Sequence, residues 1–205
     1  MESLPMTRTP SSPTGMYYLL RGVISVSISS SIGNKELSVF FSQGDWLFPQ
    51  HYAKTRHICL IACEIEETQF LYFSFSDLKK IAMLEPDFYL FLFNISGKTN
   101  DIISQALNNL IYAKEFRLAY ALLDLHYRVN KNASSQSLDN TIYISQYQLS
   151  FISNLSRPKL NVELKCLEKQ GVLQIGRGRI MINDVDYFEN IIKQEILLFR
   201  HPKSL

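Results

Sequence analysis

Apolar positions in the first 74 residues of the chain fall in short runs separated by turn residues. The runs are 17–20, 23–28, 37–41, 58–63 and 69–73. Turn signals lie at Arg21-Gly22, Gly33-Asn34 and Gly44-Asp45. Short runs at this spacing are typical of strands in an antiparallel sandwich or roll. The pattern therefore predicts an N-terminal antiparallel β-roll of the jelly-roll kind over residues 1–84.

The period of the apolar positions changes after Ser74. Ser76 is a candidate cap for a short helix over 77–83, and a long helix is predicted from Pro86 to about Tyr112. Along the long helix, apolar and small residues recur at spacings of three and four, as in a seam between two paired helices. The residues expected in the seam are Ile95, Thr99, Ile102, Ile103, Ala106 and Leu110. The helix, assigned to 85–113, packs either on its own domain or on a second copy.

Residues 114–205 are predicted to form a third domain. Residues 115–129 have a helical pattern and 130–140 a polar loop composition. Ser145 and Gln148 have the spacing of a capping box, which predicts a helix that begins at Ser145. Asn154 suits a tight turn, because asparagine tolerates the left-handed backbone region.

A second helix is predicted directly after this turn. Ser156 is its candidate cap, Pro158 lies in its first turn and Gly171 ends it. Two short strands follow, at 172–175 and 180–182, on either side of Gly176-Arg177-Gly178-Arg179. A helix, a short turn, a helix and a basic hairpin form the layout of a winged helix-turn-helix, whose second helix can enter the major groove of DNA. The alternative is a solvated helix surface beside a glycine-rich hairpin.

The segment from Leu155 to Gly171, LSRPKLNVELKCLEKQG, resembles the recognition helix of the Crp/Fnr transcription regulators. The Tyr17–Gly22 and Gly44-Asp45 turns and the 56–62 strand resemble parts of that family's sensory β-roll. The resemblance covers about residues 16 to 190. It implies an α+β homodimer that reads a near-palindromic site with one recognition helix per half-site.

Departures from the family pattern change what the resemblance implies about ligands. The Gly-Glu-Leu segment that holds a cyclic nucleotide in some members is replaced by Trp46-Leu47-Phe48-Pro49, and His57 replaces the serine after Arg56. The cysteine set of the iron–sulfur members is also missing. We therefore expect no control by a cyclic nucleotide and no cofactor, and we expect a roll that is truncated at its N-terminus.

The resemblance assigns Arg157 to the family's base-contacting arginine, which can bind guanine with two hydrogen bonds. Pro158 and Val162 replace an acidic residue and an arginine of the family, which implies a different target sequence. The full set expected at the DNA is Ser145, Gln146, Ser156, Arg157, Pro158, Lys159, Asn161, Val162, Lys165, Arg177 and Arg179. Arg157, Lys159 and Asn161 are expected to read bases, and Ser145, Gln146, Ser156, Arg177 and Arg179 to position the protein.

Composition and charge add one point to this picture. The 205 residues carry 21 Lys and Arg against 19 Asp and Glu, a net charge of +2 that alone gives no reason to expect a polyanionic partner. Residues 141–179, however, hold six basic and two acidic residues, a net charge of +4. The basic charge is therefore concentrated in the predicted DNA-binding segment.

No apolar run is long enough to span a membrane, and residues 1–14 lack the apolar core of a signal peptide. A cytoplasmic location, without membrane contact, is expected. The cysteines are Cys59, Cys63 and Cys166, with no CxxC pair. Cys59 and Cys63 are expected to be buried as small apolar residues, although a redox role stays open.

Two alternatives to a DNA-binding homodimer stay open. One is a metal-dependent, cupin-like β-roll enzyme that uses His51 and His57 with Glu64, Glu66 or Glu67. The other is a regulatory subunit that acts through heterodimers without binding DNA itself. The sequence has no nucleophile elbow, phosphate loop or paired-cysteine site, so a non-enzymatic regulator is the main hypothesis. RNA polymerase and a small-molecule effector are further partners that such a regulator can have.

Overall fold

A computed structural model describes residues 15–30, 36–47, 58–131, 140–196 and 200–204. The chain divides into two compact units, residues 1–104 and 105–205. The predictions for residues 1–14, Gly33-Asn34, 48–57 and most of the 130–140 loop lie outside the described residues. The mixture of antiparallel strands and helices confirms the predicted α+β class.

The first unit contains two three-stranded antiparallel sheets. Its strands are β1 (Gly15–Arg21), β2 (Val23–Ser30), β3 (Glu36–Ser42), β4 (Trp46–Leu47), β5 (Ile58–Glu64) and β6 (Gln69–Ser74). One sheet has the order β4-β1-β6 and the other β3-β2-β5. This arrangement confirms the predicted antiparallel roll, and β4 adds a short strand that the sequence pattern did not predict.

Two of the predicted turns require glycine. Gly22, between β1 and β2, has φ +89°, and a Cβ there would lie 2.2 Å from the Glu67 carbonyl oxygen. Gly44 also has φ +89° and precedes Asp45, whose carboxylate accepts a 2.7 Å hydrogen bond from the Ser42 N–H. A side chain at either position would meet backbone strain, and at Gly22 a clash as well.

Two helices follow the strands, α1 (Phe75–Leu84) and α2 (Phe88–Asn109). The predicted cap Ser76 is wrong: Ser74 caps α1, and its hydroxyl accepts a hydrogen bond from the Asp77 N–H. The predicted start of α2 at Pro86 is also wrong. Glu85 is extended, as residues before proline tend to be, and the helix begins two residues after Pro86.

In the first unit, an apolar core lies between the β4-β1-β6 sheet and helices α1 and α2. Met16, Leu78 and Ile95 are buried together, and Trp46, Phe73, Phe88 and Leu92 pack against them. Ile95 is only 8% exposed. Ile95 was expected in a seam between helices, but its side chain contributes to the core of its own unit.

The second unit contains α3 (Lys114–Val129), β7 (Thr141–Ile142), α4 (Gln146–Ile152), α5 (Arg157–Lys169), β8 (Leu173–Gly176), β9 (Arg179–Ile182) and α6 (Val185–Lys193). Its three strands form an antiparallel sheet in the order β7-β9-β8. Helix α6 was not predicted. The Asp184 carboxylate caps it, and Phe188 and Ile192 bury its apolar face.

Ile196 and the C-terminal segment 200–204 are held to the rest of the second unit by hydrogen bonds. The Tyr112 hydroxyl donates to the Ile196 carbonyl over 2.6 Å, and the Tyr120 hydroxyl donates to the Arg200 carbonyl over 3.0 Å. The Arg200 N–H donates to the buried Gln105 side chain over 3.1 Å. The Arg200 guanidinium also pairs with Asp124, which in turn pairs with Arg128.

Candidate nucleic-acid interface

Helices α4 and α5 are joined by a tight turn at Asn154. Asn154 has φ +50°, the only positive value among the described residues other than glycine. The Leu155 N–H closes the turn by donating to the Ser150 carbonyl over 3.0 Å. Leu149 on α4 and Leu160 and Leu164 on α5 are buried, so the apolar faces of both helices point into the unit. The predicted helix-turn-helix is confirmed here.

The start of α4 is fixed by a complete capping box. The Gln148 N–H donates to the Ser145 hydroxyl over 3.2 Å, and the Ser145 N–H donates to the Gln148 side-chain oxygen over 2.9 Å. The Ser145 hydroxyl also donates to that oxygen. Ser145, expected to contact DNA, therefore has its hydroxyl engaged in shaping the helix.

Helix α3 contacts both the turn and helix α5 through side chains. The Arg117 guanidinium donates to the Asn154 carbonyl over 3.1 Å. The Lys114 ammonium pairs with Glu163 on α5, and this hydrogen bond raises the pKa of Lys114 above its usual value. These two contacts link α3 to the turn and to α5, and the sequence pattern contained no signal for either one.

The outer face of α5 carries most of the residues expected at DNA. Arg157, Pro158, Lys159 and Lys165 are exposed, and Asn161 is half-buried. Val162 is 64% exposed, so its methyl groups face solvent. Ser156 occupies the cap position as predicted, but its hydroxyl makes no capping hydrogen bond. The surface combines cations, an amide, a hydroxyl and one apolar group.

The β8-β9 hairpin forms the predicted wing beside this helix. Gly176 pairs with Arg179, and Gly178 in the turn has φ +67°. Arg177 and Arg179 are both exposed. The Ile175 N–H donates to the Glu168 carboxylate over 2.9 Å, which ties the wing to the C-terminal end of α5.

An aromatic residue that sequence reasoning missed lies beside Arg157. The guanidinium carbon of Arg157 is 5.8 Å from the centre of the Tyr147 ring, on α4. Tyr147 packs edge-to-face on Phe151, with ring centres 4.5 Å apart. Tyr147 and Arg157 are ten positions apart in sequence and lie on different helices, so no helical spacing links them.

Comparisons with known proteins agree with this geometry. A family model described as a Crp-like helix-turn-helix domain matches residues 116–191. The second unit contains a Crp-like helix-turn-helix domain. No curated protein matched the sequence.

Solved structures match nearly the whole chain. A putative crp/fnr regulator from Eubacterium rectale is 15% identical over 89% of this chain and 82% of its own, with a TM-score of 0.67. A CRP/FNR regulator from Thermus thermophilus is 14% identical over 90% of both chains, with a TM-score of 0.66. The c-di-GMP-responsive regulator CLP of Xanthomonas campestris is 20% identical over 86% of this chain and 90% of its own, with a TM-score of 0.62. The chain therefore has the fold of the Crp/Fnr regulators, and the predicted resemblance is confirmed.

Upstream of the Crp-like domain, the expected seam residues differ in exposure along α2. Ile95 is buried and the Thr99 hydroxyl donates to the Ile95 carbonyl, whereas Ile102, Ile103 and Ala106 are half-buried. Leu110 is exposed and lies just beyond α2, which ends at Asn109 and not near Tyr112 as predicted. Further large apolar side chains on α2 are exposed, namely Tyr89, Leu90, Phe91, Phe93 and Leu107. The helix thus leaves an apolar surface uncovered in the single chain.

The residues considered for other chemistry are not brought together in the part of the chain that the structure describes. Cys63 is half-buried instead of buried, Cys166 is exposed on α5, and the side chain of Cys59 is outside the described set. His51 and His57 lie outside the described residues. Across the described ranges, no three His, Cys, Asp or Glu residues form a group that could hold a metal ion. No described helix is long and apolar enough to cross a membrane.

Proposed function

We propose that the protein is a non-enzymatic transcription regulator of the Crp/Fnr type that binds DNA in a sequence-specific way through its Crp-like domain. One observation carries the proposal: the exposed face of α5 and the adjoining wing together present arginines, lysines and small polar groups around a capped helix-turn-helix. Segment 141–179, with its net charge of +4, suits a phosphate backbone. We place its action in the bacterial cytoplasm.

The chemistry of α5 suggests how bases are read. Arg157, at the first position of the helix, can bind the O6 and N7 atoms of a guanine. Lys159 and Asn161 supply further donors and an acceptor. Val162 exposes methyl groups that suit contact with the methyl group of thymine, so its hydrophobic exposure has a use in the major groove.

Other side chains suit phosphate contacts that position the domain. The Ser156 hydroxyl is not used as a cap and is exposed, and Lys165, Arg177 and Arg179 are exposed cations. Pro158 shapes the first turn of α5. Gln146 is a candidate for the same role as Ser156. We assign Ser145 mainly to the capping box.

We infer that the regulator acts as a homodimer on a near-palindromic site. The apolar surface of α2, with exposed Leu107 beside half-buried Ile102, Ile103 and Ala106, and Leu110 just beyond its end, supports pairing with a second copy. Two-fold symmetry of the protein would be mirrored in two inverted half-sites. Contacts with RNA polymerase would follow from a role in activation.

We do not assign cyclic nucleotide as the effector. Where such a ligand would need a Gly-Glu-Leu segment, the chain has Trp46-Leu47, which form β4. Trp46 packs against Tyr18 and Phe73, with ring centres 4.9 and 5.5 Å apart, so it belongs to the apolar core of the roll. These contacts support the proposal that any effector differs in chemistry from the family's cyclic nucleotides.

Binding of the full chain to DNA tests the proposal. Fluorescence anisotropy would follow titrations into labelled duplexes from the promoter of its own operon, for wild type and Arg157→Ala. Wild type should bind one fragment at least about ten-fold more tightly than a shuffled duplex, and Arg157→Ala should lose most of that preference. Affinity should fall steeply with salt, and Arg177→Ala should reduce the slope of log K against log salt by about 0.9.

A matched control separates local contacts from general charge. Lys98→Ala removes one exposed positive charge from α2, outside the interface, and should leave the slope unchanged. The proposal fails if wild type binds no fragment at low salt, or if binding has no sequence preference. Binding that occurs only after mixing with another protein would instead support a heterodimeric subunit.

A further inference from the structure

We propose that Tyr147 is a positioning residue for sequence recognition, which holds the Arg157 guanidinium so that its N–H edge faces the base. The inference rests on the proposed function and names a determinant outside the recognition helix. The guanidinium carbon lies 5.8 Å from the Tyr147 ring centre. Arginine within about 6 Å of an aromatic face is attracted by the ring and tends to stack on it.

The ring can act as a support because its own position is fixed. Tyr147 is the second residue of α4, within the turn closed by the Ser145–Gln148 capping box. Its ring packs edge-to-face on Phe151, one turn further along the helix. The Ser150 hydroxyl donates to the Tyr147 carbonyl over 2.7 Å, which adds a contact within the same turn.

The position of Arg157 relative to that ring is fixed by the turn between the helices. Asn154 has a left-handed conformation, and the Arg117 guanidinium donates to its carbonyl. The Leu155 N–H donates to the Ser150 carbonyl and closes the turn. The contacts that shape the helix-turn-helix therefore set the separation of the backbone positions that carry Tyr147 and Arg157.

Stacking on a ring is compatible with base reading because it uses a different part of the guanidinium. An aromatic ring that stacks on a guanidinium covers its flat face, whereas a guanine is bound by two N–H groups at the edge. An exposed arginine otherwise samples many rotamers, and that freedom is lost when it binds a base. A ring that already restricts those rotamers reduces this loss, so it strengthens the arginine contact with the correct base.

Tyr147 is exposed, so its hydroxyl is open to a ligand while its ring lies beside Arg157. The residue is 55% exposed although it carries a large aromatic ring. Its hydroxyl could alternatively donate to a phosphate, which would strengthen binding to every sequence equally. The two roles predict different effects for removal of the hydroxyl alone: unchanged binding if Tyr147 positions Arg157, and equal weakening on every duplex if the hydroxyl binds a phosphate.

The test measures discrimination in full-length protein, as the Kd for a duplex with the Arg157-dependent base pair exchanged divided by the Kd for the preferred duplex. Tyr147→Ala should lower this ratio about three- to ten-fold. Tyr147→Phe keeps the ring and should stay within about two-fold of wild type. Tyr143→Ala removes a similarly exposed tyrosine, 59% exposed, and should have no effect on the ratio.

A second set of variants shows whether Tyr147 acts through Arg157. In an Arg157→Ala background, Tyr147→Ala should cause no further loss of discrimination. In an Arg157→Lys background its effect should be smaller than in wild type, because the lysine ammonium keeps an attraction to the ring but lacks the planar face that stacks on it. Thermal melting of each variant identifies any that fails to fold, and Tyr147→Leu then replaces Tyr147→Ala.

Several outcomes would overturn the inference. One is an unchanged ratio in Tyr147→Ala together with a normal loss in Arg157→Ala, which leaves the proposed function intact. Another is uniform weakening on all duplexes in both Tyr147→Ala and Tyr147→Phe, which assigns the hydroxyl to a phosphate. If wild type shows no sequence preference at all, the proposed function and this inference fall together.

Discussion

Ser145 and Ser156 precede the two helices of the interface, yet only one of them stabilises its helix through its side chain. The Ser145 hydroxyl accepts from the Gln148 N–H, whereas the Ser156 hydroxyl makes no capping bond. Both positions match the usual preference for serine at a helix start. The structure therefore separates a folding role at Ser145 from a surface role at Ser156.

Ser145→Ala is expected to lower the free energy of unfolding by about 1 kcal/mol, because the first turn of α4 loses its cap. Ser156→Ala should change it by less than about 0.5 kcal/mol, because no capping bond is lost. Urea unfolding followed by circular dichroism measures both values. Equal destabilisation by the two substitutions would contradict the assignment.

DNA binding should show the reverse order for the two serines. At a salt concentration where both variants are fully folded, Ser156→Ala should weaken binding about two- to five-fold through loss of a hydrogen bond. Ser145→Ala should stay within about two-fold of wild type, because its hydroxyl serves the capping box. Anisotropy titrations on one duplex make the comparison.

At the scale of elements, α3 organises the second unit through buried charge. Asp124 is 4% exposed and lies between two arginines, Arg128 on the same helix and Arg200 in the C-terminal segment. The Arg200 backbone is held independently by Gln105 and Tyr120. Removal of the Asp124 carboxylate takes an ion pair from both arginines. Removal of Arg200 leaves the Asp124–Arg128 ion pair in place.

Asp124→Ala is therefore expected to destabilise the protein by about 3 kcal/mol. Arg200→Ala should cost about 1 to 2 kcal/mol, because backbone bonds still hold the segment. Glu195→Ala, an exposed change nearby in sequence, should stay within about 0.5 kcal/mol. Urea unfolding ranks the three, and an Arg200→Ala cost equal to that of Asp124→Ala would contradict this description of the charge cluster.

Local signals made the helix-turn-helix predictable from sequence. Each of these signals acts on backbone within a few residues of itself: the Ser145–Gln148 box, Asn154, Pro158 and Gly171. The Asp124–Arg200 pair joins residues 76 positions apart, and Tyr147 meets Arg157 across a turn. No spacing rule covers such contacts, because they depend on how the helices pack.

Ile95 shows a different limit of sequence patterns. Spacings of three and four placed it on an apolar face of α2, but they do not say which partner covers that face. In the structure Met16 and Leu78 cover it. The candidate base-reading residues were found by resemblance and exposure together, whereas the supporting contacts from Arg117 and Tyr147 became visible only in three dimensions.

At the scale of the whole molecule, a near-neutral chain contains a basic segment and an uncovered apolar helix surface. The net charge of +2 is the sum of +4 in residues 141–179 and −2 elsewhere. This charge distribution favours DNA as the partner of residues 141–179. The apolar surface of α2 is the candidate contact between two copies of the chain. Pairing through α2 would present two Crp-like domains to one duplex.

Ile103→Asp is expected to convert a dimer to a monomer, because a carboxylate would be buried in the apolar contact. Asn100→Asp introduces the same charge at an exposed position about one turn earlier and should leave the dimer intact. Light scattering after size exclusion gives the mass of each variant. A monomeric wild-type protein would contradict the proposed homodimer.

Selection of binding sites from a pool of random duplexes by the full-length protein tests the central claim most directly. The expected result is an enriched motif of two inverted half-sites with centres about 10 base pairs apart, or a multiple of that spacing. Arg157→Ala should lose the preference at one base pair in each half-site and keep the others. An absence of enrichment, or a motif that Arg157→Ala leaves unchanged, would contradict sequence-specific reading by this helix.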